Sequence, residues 1–101
     1  MKRTYSIIFH PKAEKEFLES VNWYENALWG LGDNFITETT VILKHIQNNP
    51  VLFQKKKLQL REAPVKNFPF IIIYKINEKE NIIMILSVFH TSRNPGKKPK
   101  P

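Results

Sequence analysis

The sequence of 101 residues lacks cysteine altogether. Without a thiol the chain forms no disulfide, no thiolate zinc site and no cysteine nucleophile. Long apolar runs are missing as well, since the longest, at residues 68–74 and 82–89, fall far short of the roughly 20 residues that a membrane-spanning helix needs. The apolar stretch behind the basic start covers only residues 7–9, where a signal peptide has about 7–15 apolar residues. We therefore expect a cytoplasmic protein with no membrane partner.

The residue patterns of common metal, phosphate and nucleophile sites are also missing. His10, His45 and His90 lie far apart, and no paired-histidine zinc motif contains them. Gly30 and Gly32 precede a helical pattern but lack the lysine of a phosphate-binding loop, so they are typical of a connection between helices. No serine has a nucleophile-elbow motif around it. The sequence therefore predicts neither a metal site nor a cofactor.

Apolar residues are plentiful enough for a folded core. Hydrophobic residues make up 42% of the chain and aromatic residues 12%, which argues against a mainly disordered protein. A chain of this length builds one core, and we expect a single domain over residues 1–91. From Ser92 onward the apolar residues disappear. Residues 92–101 are predicted to form a basic, proline-rich tail.

The charge is distributed unevenly along the chain. Residues 1–50 carry five basic and six acidic side chains, a net charge of −1, whereas residues 51–101 carry eleven basic and three acidic ones, a net charge of +8. The basic half includes three consecutive lysines at residues 55–57. This asymmetry favours a polyanion or an acidic protein as the partner of the second half, although a basic solvated surface is the simpler alternative.

Hydrophobic periodicity predicts six elements in the order βααβββ. Strands are predicted at residues 4–10, 58–62, 68–76 and 82–89. The first helix is predicted over residues 12–28, and the second begins at an N-cap, Asp33 or Asn34, and ends at residues 48–50. The two helices should form an antiparallel hairpin because their connection is short. The result is an α+β fold, with a helical hairpin packed on a small sheet dominated by antiparallel pairs.

The last strands supply the candidate catalytic residues. Arg61 should face away from Leu60, Tyr74 lies in the middle of the following strand, and His90 ends the last strand, with Arg93 three residues later. On one concave surface, His90 would transfer a proton while Arg61 and Arg93 held a phosphate, which is the chemistry of metal-independent RNA cleavage. Tyr74 is a weaker candidate, since strand aromatics usually pack in a core. The alternative is that Arg61 and Arg93 are surface charges and that His90 hydrogen-bonds at a strand end.

An ordered set of short motifs along nearly the whole chain resembles the RelE/ParE superfamily of toxins from bacterial toxin–antitoxin operons. The motifs are Tyr-x-Ile-x-Phe-His-Pro-x-Ala-x-x-Glu at 5–16, Trp-Tyr-Glu at 23–25, Gly-Leu-Gly-x-x-Phe at 30–35, Ile-x-x-Asn-Pro at 46–50, Arg61, Phe-Pro-Phe at 68–70, Ile-Tyr at 73–74 and His-x-x-Arg-Asn-Pro at 90–95. No single motif is specific, but their order is.

The resemblance implies a βααβββ toxin that a cognate antitoxin neutralises by wrapping around it, so that an oligomer with the antitoxin is expected. RelE-like members cut mRNA on the ribosome, whereas ParE-like members poison DNA gyrase. The Trp-Tyr-Glu and Gly-Leu-Gly motifs look more like the ParE-like, plasmid-stabilisation branch, and no tyrosine follows Tyr74, in contrast to the C-terminal tyrosine of RelE-type catalysis. Three readings stay open: a gyrase poison, a ribosome-dependent endoribonuclease using Arg61, His90 and Arg93, and an inactive module that only binds antitoxin.

Overall fold

The computed structural model describes residues 4–92, and the helices and strands within this range follow the predicted order βααβββ. Nine of the ten residues of the predicted tail, Arg93 among them, lie outside the described residues. The elements are β1 (Ser6–Phe9), α1 (Pro11–Ala27), α2 (Leu31–Asn48), β2 (Arg61–Pro64), β3 (Phe70–Asn77) and β4 (Ile82–His90).

The strands of the described residues form one mixed sheet in the order β1-β4-β3-β2. β1 pairs in parallel with β4, whereas β4 with β3 and β3 with β2 are antiparallel, so the predicted antiparallel-dominated α+β fold is confirmed. Between β1 and its parallel partner β4, the chain passes through both helices and then through β2 and β3. This gives the long connection that a parallel pair requires. β4 is central, in agreement with its nearly continuous apolar sequence.

The main core lies between the helices and one face of the sheet. Aromatic rings fill its centre: the ring centroids of Tyr24 and Phe68 are 4.9 Å apart, and those of Phe35 and Phe70 are also 4.9 Å apart. The opposite face of the sheet carries a smaller apolar cluster built on Leu60, Ile73 and Phe89. Edge-to-face and tilted ring contacts of this kind add to the stabilisation that comes from apolar burial.

Glu25 holds the connection between the two helices in place. The prediction that Asp33 or Asn34 is the N-cap of α2 was wrong. Gly30 occupies the N-cap position of α2 with φ +85°, and no side chain of Asp33 or Asn34 caps the helix. Instead the Glu25 carboxylate accepts hydrogen bonds from the amide of Gly30 at 3.0 and 3.1 Å and from that of Gly32 at 3.0 Å. A carboxylate at a helix N-terminus satisfies free amide donors and opposes the positive end of the helix dipole.

The predicted strand at residues 58–62 was wrong in its first half. Leu58 and Gln59 have φ values of 54° and 74°, and they lie in a tight turn that the Lys56 amide closes by donating to the Leu60 carbonyl at 2.6 Å. An isolated bridge then joins Lys55 to Arg61, where β2 begins. Alternating apolar residues matched a strand, but here the alternation runs around a turn that folds back along β2.

The C-terminal half of β4 extends past the end of β1, and a side chain of α1 supplies the hydrogen-bond acceptor that β1 does not provide there. The register pairs Phe9 with Ile85, so the Val88 amide has no β1 residue beside it. The Glu16 carboxylate accepts hydrogen bonds from that amide at 3.0 Å and from the Ser87 hydroxyl at 2.8 Å. This contact fixes α1 across the sheet at the position where the pairing of β3 and β4 shifts register.

Candidate functional site

Arg61 and Tyr74 lie side by side on the helix-facing side of the sheet. They are direct partners in the antiparallel pairing of β2 and β3, and residues opposite each other on paired strands share a face. Leu60 belongs to the cluster on the other face, as the alternation predicted. Arg61 Nη1 donates to the Phe53 carbonyl at 2.6 Å, and the Tyr74 hydroxyl donates to the Pro50 carbonyl at 2.7 Å. Both side chains therefore hold the connection between α2 and β2 against the sheet.

Tyr74 is fully buried within the main core. Burial raises its pKa from 10.0 to about 12, because the phenolate would lose its hydration, and the nearby Arg61 guanidinium opposes this rise. The phenol therefore stays protonated over the physiological pH range. It acts in this position as a hydrogen-bond donor to the backbone.

His90 lies at the far end of the same sheet. Its ring packs edge-to-face on Phe70, with centroids 4.9 Å apart, and its Nδ1 accepts a hydrogen bond from the Ser92 amide at 3.2 Å. With Trp23 and Ser20 it lines a cleft of about 70 Å³ that is mostly apolar. Small-molecule sites usually have about 300–1,000 Å³, so this cleft has room for one small side chain or group rather than a whole nucleotide.

The structure therefore brings Arg61 and Tyr74 together but leaves His90 apart from them. His90 is opposite Phe70, whereas Arg61 is opposite Tyr74, and Tyr74 follows Phe70 by four residues, which corresponds to about 13 Å of strand. Arg93, the fourth candidate, lies outside the described residues. The prediction that β2, β3 and β4 are neighbours was correct. Whether two side chains on neighbouring strands meet also depends on how far along its strand each residue lies.

The lysine run at residues 55–57 is on the exposed arm that folds back along β2. All three lysines are exposed, and the Lys55 ammonium donates to the Gln59 side chain at 3.3 Å. Since β2 is an edge strand of the sheet, these charges project from that edge. They form an accessible basic surface that attracts acidic partners over a distance of about one Debye length.

Two exposed apolar residues outside the sheet were missed as functional candidates. Leu28 is 64% exposed and Trp29 is 91% exposed, in the connection between α1 and α2. The predicted first helix ends at Leu28, and Trp29 falls in the connection that follows it. The available signal was a tryptophan beside glycine in a turn, where a side chain has little core to join.

The described residues contain neither a group of side chains arranged for a metal ion nor a helix suited to cross a membrane. Among residues 4–92, no group of three or more histidine or carboxylate side chains is arranged to hold a metal ion. In the same range, neither helix combines the length and the apolar character needed to cross a bilayer.

Most of the chain matches a known protein family. The family model described as "ParE toxin of type II toxin-antitoxin system, parDE" matches residues 7–95. The chain belongs to the ParE toxin family. The match covers most of the sequence, and all four candidate residues of this ParE-family toxin lie within the matched range. Among the curated proteins, no sequence matches this toxin.

A solved structure with the same fold comes from the chromosomal ParDE toxin–antitoxin system of P. aeruginosa. It matches this ParE-family toxin with a TM-score of 0.75, covering 88% of this chain and 98% of that one. The two sequences are only 14% identical, so the likeness establishes the fold. It agrees with two helices packed on a four-stranded mixed sheet within the described residues.

Proposed function

We propose that this ParE-family toxin arrests growth by binding DNA gyrase, and that a cognate antitoxin neutralises it. The family match over residues 7–95 supports the toxin role. The related fold from P. aeruginosa belongs to a ParDE toxin–antitoxin system, which supports an antitoxin partner and an oligomer with it. The proposal places the protein in the cytoplasm, takes residues 1–91 as the toxin domain and assigns residues 92–101 as its basic tail.

The arrangement of Arg61, Tyr74 and His90 favours binding over RNA cleavage. Cleavage through the ribose 2′-hydroxyl needs a proton acceptor, a proton donor and positive charge around a single phosphate. Arg61 and Tyr74 already donate to the carbonyls of Phe53 and Pro50, and His90 lies about 13 Å further along the sheet. This separation is the observation that carries the proposal.

A ribosome-dependent endoribonuclease is the second candidate. Its support is the position of His90, which lines a cleft at the end of β4 with Arg93 three residues further on. In that case His90 is the proton-transfer residue and Arg93 the phosphate contact, while Arg61 and Tyr74 keep the supporting α2–β2 connection in place.

Induced expression in bacteria without the neighbouring gene distinguishes the candidates. DNA breaks with intact mRNA, together with purified toxin that stabilises gyrase cleavage complexes, are the expected result. New mRNA ends in register with codons and no DNA breaks would replace the gyrase proposal with the endoribonuclease. Expression without growth arrest would leave only an antitoxin-binding module.

A double substitution gives a second, independent comparison. The His90→Ala/Arg93→Ala variant should remain as toxic as wild type under the gyrase proposal, provided that its melting temperature is unchanged. A nuclease would lose roughly 100-fold or more of its rate without its proton-transfer group. The matched control is Lys97→Ala, which removes one basic charge from the same tail.

A further inference from the structure

The connection between the helices carries the most exposed large apolar side chain among the described residues. Trp29 is 91% exposed and its neighbour Leu28 is 64% exposed. We call residues 28–30 the hairpin tip. Neither side chain belongs to either apolar cluster of the fold. Trp is the residue type most enriched among the side chains that dominate binding energies at protein interfaces.

The backbone beneath these side chains is held rigidly. The Leu28 amide donates to the Tyr24 carbonyl at 3.0 Å, and the Leu31 amide donates to the Leu28 carbonyl at 3.0 Å. The Glu25 carboxylate binds the Gly30 amide between them. A surface that is already ordered loses little entropy when it binds, which raises the affinity available from each contact.

The helical segments beside the hairpin tip carry acidic side chains. From residue 16 to residue 43 the chain contains five carboxylates and no lysine or arginine. Glu16 and Glu19 pair with Lys12 and Lys15, and the carboxylates within about one helical turn of the tip are those of Glu25 and Asp33. Asp33 is exposed in the first turn of α2, one helical turn from the tip. The flanking lysines, Lys15 and Lys44, lie about 18–20 Å away along the helix axes, which exceeds the Debye length of about 8 Å at physiological salt.

We propose that the hairpin tip is the surface that contacts the target, and that the target presents an apolar hollow bordered by lysine and arginine side chains. An RNA backbone would be repelled by these carboxylates, whereas a protein that handles DNA carries basic surface for its own substrate. Gyrase is such a protein, so this inference rests on the proposed function and names the surface that serves it. The exposed lysines at residues 55–57, beside the β2 edge of the sheet, then remain available for an acidic antitoxin.

The test compares Trp29→Ala and Leu28→Ala with Val41→Ala, which truncates an exposed apolar residue on α2 that is 46% accessible. Each variant is assayed for growth arrest, for stabilisation of cleavage complexes by purified DNA gyrase, for antitoxin binding and for melting temperature. We expect Trp29→Ala to be at least about tenfold weaker on gyrase and to lose growth arrest. Val41→Ala should stay within about twofold of wild type, and all three variants should keep wild-type antitoxin binding and melting temperature.

Three results would overturn the proposal. Trp29→Ala as toxic as wild type would remove the hairpin tip from the target contact. Loss of antitoxin binding in Trp29→Ala, with toxicity kept, would assign the tip to the antitoxin. A change in oligomeric state of Trp29→Ala in sedimentation, with toxicity kept, would assign it to a second copy of the chain.

The charge requirement is tested separately with Asp33→Asn and, as a control, Glu78→Gln in the exposed turn between β3 and β4. Asp33→Asn should weaken the effect on gyrase about two- to fivefold at low salt and less at high salt, while Glu78→Gln should change nothing. An increase in activity of Asp33→Asn would indicate a polyanionic target and contradict the proposal. If wild-type toxin leaves gyrase unaffected, the gyrase target fails, but loss of growth arrest in Trp29→Ala still supports the hairpin tip.

Discussion

Tyr74 places its hydroxyl 2.7 Å from the Pro50 carbonyl oxygen, inside the core and beside the Arg61 guanidinium. The two donors on adjacent strands secure the backbone that follows α2, since Arg61 binds Phe53 in the same connection. A buried carbonyl without a donor costs free energy, so these contacts stabilise the fold at the place where catalytic residues were predicted. At the residue scale, a shared strand position explains why the two side chains act together.

Tyr74→Phe should lower the free energy of unfolding by about 1–3 kcal/mol at pH 8, because the Pro50 carbonyl loses its donor. The deficit should shrink between pH 10 and 12. In that window the unfolded wild-type chain has lost the phenolic proton while the folded chain, with a Tyr74 pKa of about 12, retains it, so wild-type stability falls as pH rises. Urea unfolding at pH 8 and 11 measures this, with Tyr5→Phe as control. A deficit that does not change with pH would contradict the origin given for the pKa.

Glu16→Ala should lower the free energy of unfolding by about 1–3 kcal/mol, because the amide of Val88 and the hydroxyl of Ser87 both lose their acceptor. Glu19→Ala is the matched control. Glu19 lies three residues after Glu16 on α1, and its carboxylate forms an exposed ion pair with Lys15 at 3.9 Å. That variant should change stability by less than about 0.5 kcal/mol. Thermal unfolding of the two variants at one pH decides the matter, and equal effects would argue against the role of Glu16 at the β4 edge.

The helical hairpin shows two glycines with different physical requirements. Gly30 has φ +85° and open space around it, so glycine is favoured there because it adopts this left-handed backbone conformation without strain. Gly32 lies within α2, where a Cβ atom would stand 2.9 Å from the Val21 carbonyl oxygen and 3.0 Å from the Glu25 Cβ atom. Its need is close approach between the two helices. At the element scale, this approach brings the Glu25 carboxylate within hydrogen-bonding distance of the start of α2.

Gly32→Ala should lower the free energy of unfolding by about 1–3 kcal/mol, although alanine favours helices by about 1 kcal/mol over glycine. Gly30→Ala should cost about 1 kcal/mol through backbone strain alone, and Gly30→Asn should cost less, since asparagine adopts left-handed backbone more readily. Chemical denaturation of the three variants measures these values. A stabilising Gly32→Ala would mean that α1 moves away from α2 without penalty.

Charge is unevenly divided between two parts of the chain. The helical hairpin from residue 16 to residue 43 is acidic, whereas residues 51–101 carry a net charge of +8. The exposed lysines at 55–57 project from the β2 edge, far along the sheet order from β1. A molecule of this polarity orients partners of opposite charge before contact, and the effect weakens as salt screens it.

Association with an acidic antitoxin should therefore slow roughly tenfold between 0.05 and 0.5 M NaCl. Replacing Lys55, Lys56 and Lys57 with glutamine should lower the rate at low salt and flatten its salt dependence. The control is Lys12→Gln/Lys15→Gln on α1, which removes two charges that already lie near carboxylates of Glu16 and Glu19. Stopped-flow mixing measures the rates, and a rate independent of salt would contradict electrostatic attraction.

Most of the fold was predictable because it depends on local patterns. Apolar spacing placed α1 to within one residue and the end of α2 to within two, whereas the N-cap of α2 lies three or four residues before the predicted position. The apolar run of residues 82–89 indicated a central strand, as β4 proved to be. The turn at Leu58 and Gln59 was not predictable, since its apolar alternation also matches a strand. The capping role of Glu25 was hidden as well, because its partners Gly30 and Gly32 come close only when the helices pack.

The sequence by itself determined the family, the order of the elements and the uneven charge, because these follow from residue types and their spacing. Tertiary structure alone decided which side chains meet. Arg61, Tyr74 and His90 are all on adjacent strands, yet the pairing register joins the first two and sets His90 apart. Burial then assigned Tyr74 to the core and left Trp29 in solvent. Register and burial are collective properties of the packed sheet and helices, and no short segment of sequence specifies them.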